Sequence, residues 1–307
     1  MIDLHCHLDG SLSVTDLLTL SDMTGVSLPT RDRETLFSLS TYTGVGTLND
    51  YLRKFDLPIS LLRAPECVEY AVVSLSRRLA ACGCTYAEIR FAPAFHTQGG
   101  NTMREIVRGA EAGCKRAEIP VSLILCAMRG REEKENLEVI EIAAEEKGRG
   151  VVGVDLAGAE ALYPTEGYRE VFLLASRLGL NITVHAGEAA GADSVRAALD
   201  LGARRIGHGV RTAGDEALLD RIAREGIVLE MCPTSNVQTG AVASIETHPI
   251  GDFMARGIRC VVCSDNMTVS NTDVRRECAL VKQAFPVLAG RIGTDEDMKY
   301  AFGRTRK

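Results

Sequence analysis

Short apolar runs rich in β-branched residues alternate along the chain with amphipathic stretches of roughly 10 to 20 residues, the pattern of repeated strand–helix units around a parallel sheet. Eight runs read as strands: residues 2–5, 86–91, 121–128, 151–156, 181–185, 205–208, 227–231 and 259–263. Between them the polar–apolar spacing predicts helices, among them 66–83 and 168–178, the second closed by Gly179 as a helix stop. Eight strands predict an α/β fold of the (β/α)8 TIM-barrel type, because closure removes the edges an open parallel sheet would expose. The first connection, residues 9–84, is abnormally long. Connections of that length are usually functional insertions with helices of their own, so a helical lid after strand one is expected. No linker, internal repeat or charge block marks a second domain, and residues 1–307 are read as one unit.

Composition narrows the function classes. Apolar residues make up 46% and charged residues 25%, as in a globular protein with a sizeable core. The net charge of −6, without a basic stripe, argues against a nucleic-acid partner. The start, MIDLHCHLDG, has neither a basic leader nor an apolar signal core, and no run of about 18 apolar residues occurs. No membrane association and a cytoplasmic location are therefore expected. The ten cysteines sit mostly in apolar runs such as LILCAM and RCVVCS, where a thiol behaves as a small buried hydrophobe, so reduced cysteines are expected. Cys260-Val261-Val262-Cys263 lies in a strand and lacks a partner pair at zinc-ribbon spacing; neither it nor Cys82-Gly83-Cys84 is read as a metal motif.

Histidine placement carries the chemistry. Of six histidines, four fall at the ends of predicted strands: His5, His7, His185 and His208. In a barrel those ends converge on one mouth, where active sites lie. A side-chain period of two points His5 and His7 to the same side, so both imidazoles reach one cation. His-x-His alone is weak. With His185 and Asp265 it becomes an N3O set with room for a water, as a catalytic zinc site requires. A bound divalent cation lowers the pKa of its water toward ~7 and so provides hydroxide at neutral pH. Glu188, in HAGE, is placed to act as general acid or base, although it could instead cap the next helix. His208, between glycines in GHGV, is placed to orient the hydroxide or to stabilise developing charge. His96 and His248 lack such company and are expected in loops.

These pieces, in order HCHLDGS, TLNDYLRKFD, YAEIRFAP, GVDLAGAE, VHAGE, IGHG, CPTSN and CSDN, resemble the adenosine deaminase family over roughly residues 1–275. The resemblance implies hydrolysis of adenosine to inosine and ammonia, with one Zn2+ per chain and a purine nucleoside as small-molecule partner. His5, His7, His185 and Asp265 match the family's zinc ligands, Glu188 the proton donor to the purine, and His208 the residue that positions the hydroxide. Asp9 matches the carboxylate that meets the ribose, and Gly158 a glycine whose backbone N–H meets the purine. Leu48, Tyr51, Leu52 and Phe55 resemble the apolar lid over the base, but their i, i+3, i+4, i+7 spacing equally suits one buried helix face.

One departure is Asn266, where the family often has a second aspartate; an asparagine NH2 still donates to purine N7 at any working pH. After Thr272 the resemblance fades, and the last helix is expected to be short or replaced by subunit contacts. Rival readings are a deaminase of adenine or of a modified adenosine, an inactive barrel serving as a binding protein, and a nuclease or esterase on a metal barrel. Asp9 argues against adenine, whose enzymes in the family tend to carry glutamate there. Completeness of the site argues against the inactive scaffold. A nuclease or esterase would be expected to show basic residues or a second metal bridge at the mouth, and no lysine near strand four is suited to bridging two metals.

Overall fold

The computed structural model describes residues 1–304. Its strands are β1 (Ile2–His7), β2 (Tyr86–Phe91), β3 (Val121–Met128), β4 (Val151–Ala157), β5 (Thr183–Ala186), β6 (Arg205–His208), β7 (Val228–Met231) and β8 (Arg259–Val262). Each pairs in parallel with the next within the runs β1–β4 and β5–β8. Two bridges close the ring, Val154 to Ile182 and Cys6 to Asp265. At the second seam the His7 N–H donates to the Asp265 carbonyl at 2.7 Å and the Asp265 N–H donates to the His5 carbonyl at 2.8 Å. The fold is thus the (β/α)8 barrel, and its closing seam passes through three of the candidate site residues.

Local chemistry sets the helix boundaries. The first connection holds helices Val14–Thr24, Arg33–Ser40, Leu48–Leu52, Asp56–Leu61 and Pro65–Ala81. Ser13 with Asp16, and Thr47 with Asp50, form reciprocal capping boxes that satisfy otherwise unpaired N–H groups. The helix expected at 66–83 begins with Pro65, whose missing N–H costs nothing in a first turn. The helix expected at 168–178 runs Arg169–Arg177 behind a 3-10 turn at Thr165–Tyr168; Gly179, with φ +65°, stops it. β1 extends two residues beyond its expected end because His7 pairs with Arg90 on one side and Asp265 on the other.

The barrel interior departs from the branched apolar filling common in this fold. Arg90, fully buried, directs Nη1 to Asp155 Oδ2 at 2.7 Å and Nη2 to Glu230 Oε2 at 2.8 Å. Arg205 reaches Glu88 and Glu230, each at 2.6 Å. Beneath this ionic chain, Phe302 stacks on the Arg205 guanidinium at 3.6 Å, and the Gly303 N–H donates to Glu88 at 3.0 Å. Ala301, Met298 and Tyr300 pack there with Ile2, Leu4, Val228 and Val261, so the last described residues seal the N-terminal end of the barrel. An 11-residue helix, Val274–Ala284, and two 3-10 turns carry the chain from β8 to that plug. The sequence reading did not foresee the plug, because the residues that form it carry no helical period. All ten cysteines are free thiols, nine of them buried.

Removing one partner from a buried ion pair strands the other charge. Arg90→Met is therefore expected to destabilise the fold by about 3–5 kcal/mol in urea denaturation, whereas Arg31→Met, in an exposed pair, is expected to leave the midpoint nearly unchanged.

Candidate active site

Strand ends bring the expected residues to one mouth. One nitrogen each from His5, His7 and His185 and one oxygen of Asp265 all lie within 4.8 Å of one another. Two of these histidines, His5 and His185, owe their ring orientation to the ionic chain below. His5 Nδ1 is 2.8 Å from Glu230 Oε2, and His185 Nδ1 is 2.9 Å from Asp155 Oδ2. Burial opposes ionisation of both carboxyls, but it is outweighed: His185 and Arg90 hold Asp155, and Arg90 and Arg205 hold Glu230, below the usual carboxylate range. Each carboxylate thus accepts the Nδ1–H and leaves the Nε2 lone pair directed outward, the tautomer a metal-ligating histidine needs.

Those lone pairs have nothing to bind among the described protein groups. His5 Nε2 is buried without a hydrogen-bond partner, and Nε2 of His7 and of His185 face each other at 3.1 Å. Asp265 Oδ1 stands 3.5 Å from Nε2 of both His5 and His7. Three imidazole nitrogens and one carboxylate turned on a common point fit a divalent cation of borderline softness. A second grouping, His208 with Cys232 and Asp265, shares the aspartate. Burial pushes the Cys232 thiol well up, which disfavours the thiolate that ligation needs, and the first grouping is the better cradle.

Two site residues hold left-handed backbone that non-glycine residues seldom adopt: His208 with φ +66° and Asp265 with φ +60°. His208 has the strand parity of Ile206, which packs outward; the left-handed turn brings its ring within 5.1 Å of the His5 ring and 5.3 Å of the His185 ring. Gly207 makes room, since a Cβ there would lie 2.8 Å from His5 Cε1.

Glu188 faces this cluster rather than capping a helix. The N–H groups of Gly187, Glu188, Ala189 and Ala190 all donate to the Glu160 carboxylate, at 2.7 to 3.1 Å, so Glu160 holds the turn that carries Glu188. Glu188 Oε1 accepts from Thr239 Oγ at 3.0 Å, and Oε2 lies 3.6 Å from His208 Nε2. Burial, with Asp265 and Glu160 nearby, pushes its carboxyl up to about 8, so it holds a proton at neutral pH.

A pocket of about 410 Å³ opens above, lined by His7, Asp9, Gly158, His185, Glu188, His208, Asp265 and Asn266. Asp9 is buried, and one of its carboxyl oxygens accepts the Gly10 N–H at 3.0 Å. Gly158, with φ +103°, turns β4 into the wall. Asn266 is buried, its Oδ1 against Gly10, where any Cβ would stand 1.8 Å away. Leu48, Tyr51, Leu52 and Phe55 all line the opposite wall; Tyr51 is fully buried, its hydroxyl 2.6 Å from Ser270 Oγ, while the other three are half-buried and face the cavity. Tyr51 is thus packed into the protein at the edge of the pocket, and the other three border it.

One of the two remaining histidines departs from expectation. His96 lies in a buried 3-10 turn, Pro93–Gly99, outside the pocket, because its ring packs near Phe91 at 5.9 Å. His248 is in a loop as expected, but buried and bonded to Asn236. Sequence reasoning missed Arg90, Asp155, Glu160, Asn236, Thr239 and Glu230. Charged residues within the apolar strand runs YAEIRF, GVDLA and VLEM were the available signal for Arg90, Asp155 and Glu230.

Comparison with known proteins agrees with this geometry. The family model described as adenosine deaminase matches residues 1–290, further than the motifs alone reached. An adenosine deaminase of Haemophilus ducreyi is 42% identical over 295 residues, covering 93% of this chain and 86% of that one. An adenine deaminase from Arthrobacter aurescens superposes with a TM-score of 0.85 at 26% identity, over 93% of this chain and 88% of the other. A zinc-bound amidohydrolase from Burkholderia ambifaria, at 20% identity and TM-score 0.78 over 99% and 80% of the two chains, shares the fold. No helix among the described residues is long and apolar enough to cross a membrane. Matched by the family model over nearly its whole length and by relatives above one-third identity, the chain belongs to the adenosine deaminase family.

Proposed function

We propose that the protein hydrolyses adenosine, and 2′-deoxyadenosine, to the corresponding inosine and ammonia, with one Zn2+ held by His5, His7, His185 and Asp265. The observation that carries the reading is the convergence of those four donors at the mouth, with the buried Glu188 carboxyl beside them, 3.6 Å from His208 Nε2. When bound, the cation supplies Lewis acidity that makes water nucleophilic at neutral pH. The protein's own groups do the rest. Glu188 donates its proton to purine N1 as the water oxygen adds to C6, which breaks the ring's aromatic conjugation. The C6–N6 bond then breaks and ammonia departs. One water proton replaces the one given to N1, and the other leaves in ammonia, so the balance closes. His208 faces the attacking oxygen and orients it.

Recognition follows the pocket walls. Asp9 retains acceptor capacity for the ribose hydroxyls beyond its Gly10 contact, which supports a nucleoside over a free base. The Gly158 N–H and the Asn266 amide meet the purine edge, the latter at N7. Leu48, Leu52 and Phe55 close over the base and exclude bulk water, with Tyr51 as their anchor.

A substrate panel read by loss of purine absorbance tests the assignment: adenosine is expected to be turned over far faster than adenine or AMP, and a preference for either of the latter would overturn it. Glu188→Gln keeps the metal but is expected to lower kcat by at least about 10²-fold, the scale of a lost proton donor. In metal-free protein the Glu188 carboxyl 13C resonance is expected to titrate near pH 8, protonated below and charged above. Bound cation moves that midpoint down. Asn266→Asp must carry a proton to serve N7, so its activity is expected to fall at a lower pH than the parent's, whose own fall follows loss of the Glu188 proton; coincident profiles would remove Asn266 from purine contact.

A further inference from the structure

A line of hydrogen bonds runs outward from His208 into the protein, and it starts from a group whose role is fixed. The Ile250 backbone N–H donates to His248 Nδ1 at 3.2 Å. A backbone N–H can only donate, so His248 Nδ1 must be the acceptor. His248 is buried with only 3% exposure, and burial pushes its imidazole down to about 4, so the ring is neutral and its single proton sits on Nε2. His248 Nε2 is 3.1 Å from Asn236 Oδ1, which accepts that proton. The Asn236 amide is thereby oriented, with its NH2 toward His208 Nδ1 at 2.9 Å. An amide NH2 donates and does not accept, so His208 Nδ1 bears the lone pair and Nε2 the proton. No other assignment satisfies the line: a flipped Asn236 would press its NH2 on His248 Nε2 while Ile250 presses on Nδ1, and a neutral imidazole cannot accept at both nitrogens.

We propose that Asn236 and His248 are positioning residues that lock His208 in its neutral Nε2–H tautomer, which makes His208 a hydrogen-bond donor to the attacking oxygen and not a base. The assignment of an attacking oxygen rests on the deaminase reading above; the tautomer does not. Asn236 belongs to the turn of helix, Pro233–Gln238, that follows β7, and the next residue but two, Thr239, donates to Glu188. One short helix therefore presents both the acid and the orienting histidine to the pocket. His208 itself sits in left-handed backbone, where its ring direction is not secured by strand pleat and needs a lateral hold.

The test reads ring protonation directly. The full chain, labelled with 15N at its histidines, is examined by two-bond proton–nitrogen correlation, zinc-loaded and again after chelation, with His208 assigned by its loss in His208→Asn. A pyridine-like Nδ1 and a protonated Nε2 for His208 are expected in both states; a protonated Nδ1 in the parent protein overturns the proposal, whatever the activity. Asn236→Asp offers only acceptors, so His208 is expected to move its proton to Nδ1, with kcat falling by roughly 10²–10⁴-fold, the scale seen when a catalytic imidazole is held in the wrong tautomer, and KM for adenosine little changed. His248→Gln retains an NH2 for Asn236 Oδ1 and is expected to keep the tautomer and kcat within about tenfold. An Asn236→Asp enzyme with unaltered kcat would overturn the role. A correctly locked His208 in a protein inert toward adenosine would support the lock and overturn the substrate reading instead.

Discussion

A single guanidinium organises the barrel. Arg90, on the second strand, sits at the centre of the interior and holds the carboxylates of Asp155 and Glu230, from the fourth and seventh strands, in their ionised forms. Those carboxylates orient His185 and His5, from the fifth and first strands. Five strands are tied through one residue, and the same contacts that settle their mutual register settle the tautomers of two imidazoles. A buried ion network of this kind adds little net stability compared with an apolar core. What it supplies here is orientation: each Nε2 lone pair is aimed outward before any cation arrives, so little reorganisation is needed on binding.

Above this base the structure departs from regular strand geometry at the points of chemical interest. Asp265 and His208 lie in left-handed backbone, Gly207 yields its side-chain space to His5, and Gly10 yields its own to Asn266. Strain of this kind persists only where the surroundings over-determine it. Here they do, through the closing seam at His5–Asp265–His7 and the hydrogen bonds from Asn236 to His208. Glu160, with four backbone N–H groups on its carboxylate, holds the turn that carries Glu188, and Glu188 is left buried among negative charge, which pushes its carboxyl up.

Much of this was legible in the chain. Eight apolar runs marked the strands because residues buried on both faces of a parallel sheet are apolar nearly throughout. Histidines at the ends of those runs marked the mouth, because a barrel gathers strand ends whatever their separation in sequence. The supporting residues were less legible. Arg90, Asp155 and Glu230 interrupt apolar strands, and only three-dimensional closure shows that they meet. Asn236 and His248 lie 28 and 40 positions from His208, and no periodicity links a loop histidine to a strand end. The seal at the barrel floor by Phe302 and Gly303 was hidden for the same reason: short 3-10 turns leave no repeating pattern.

The central claim is that the ionic chain, which aims His5 and His185, and the closing seam, which places His7 and Asp265, turn all four on one cation. Zinc K-edge X-ray absorption on the zinc-loaded protein tests it most directly. The account predicts a first shell of nitrogen and oxygen only, at roughly 2.0–2.2 Å, with the outer scattering of three imidazole rings. A sulfur scatterer at about 2.3 Å would contradict it, since that distance would place the ion with Cys232 in the His208–Cys232–Asp265 grouping.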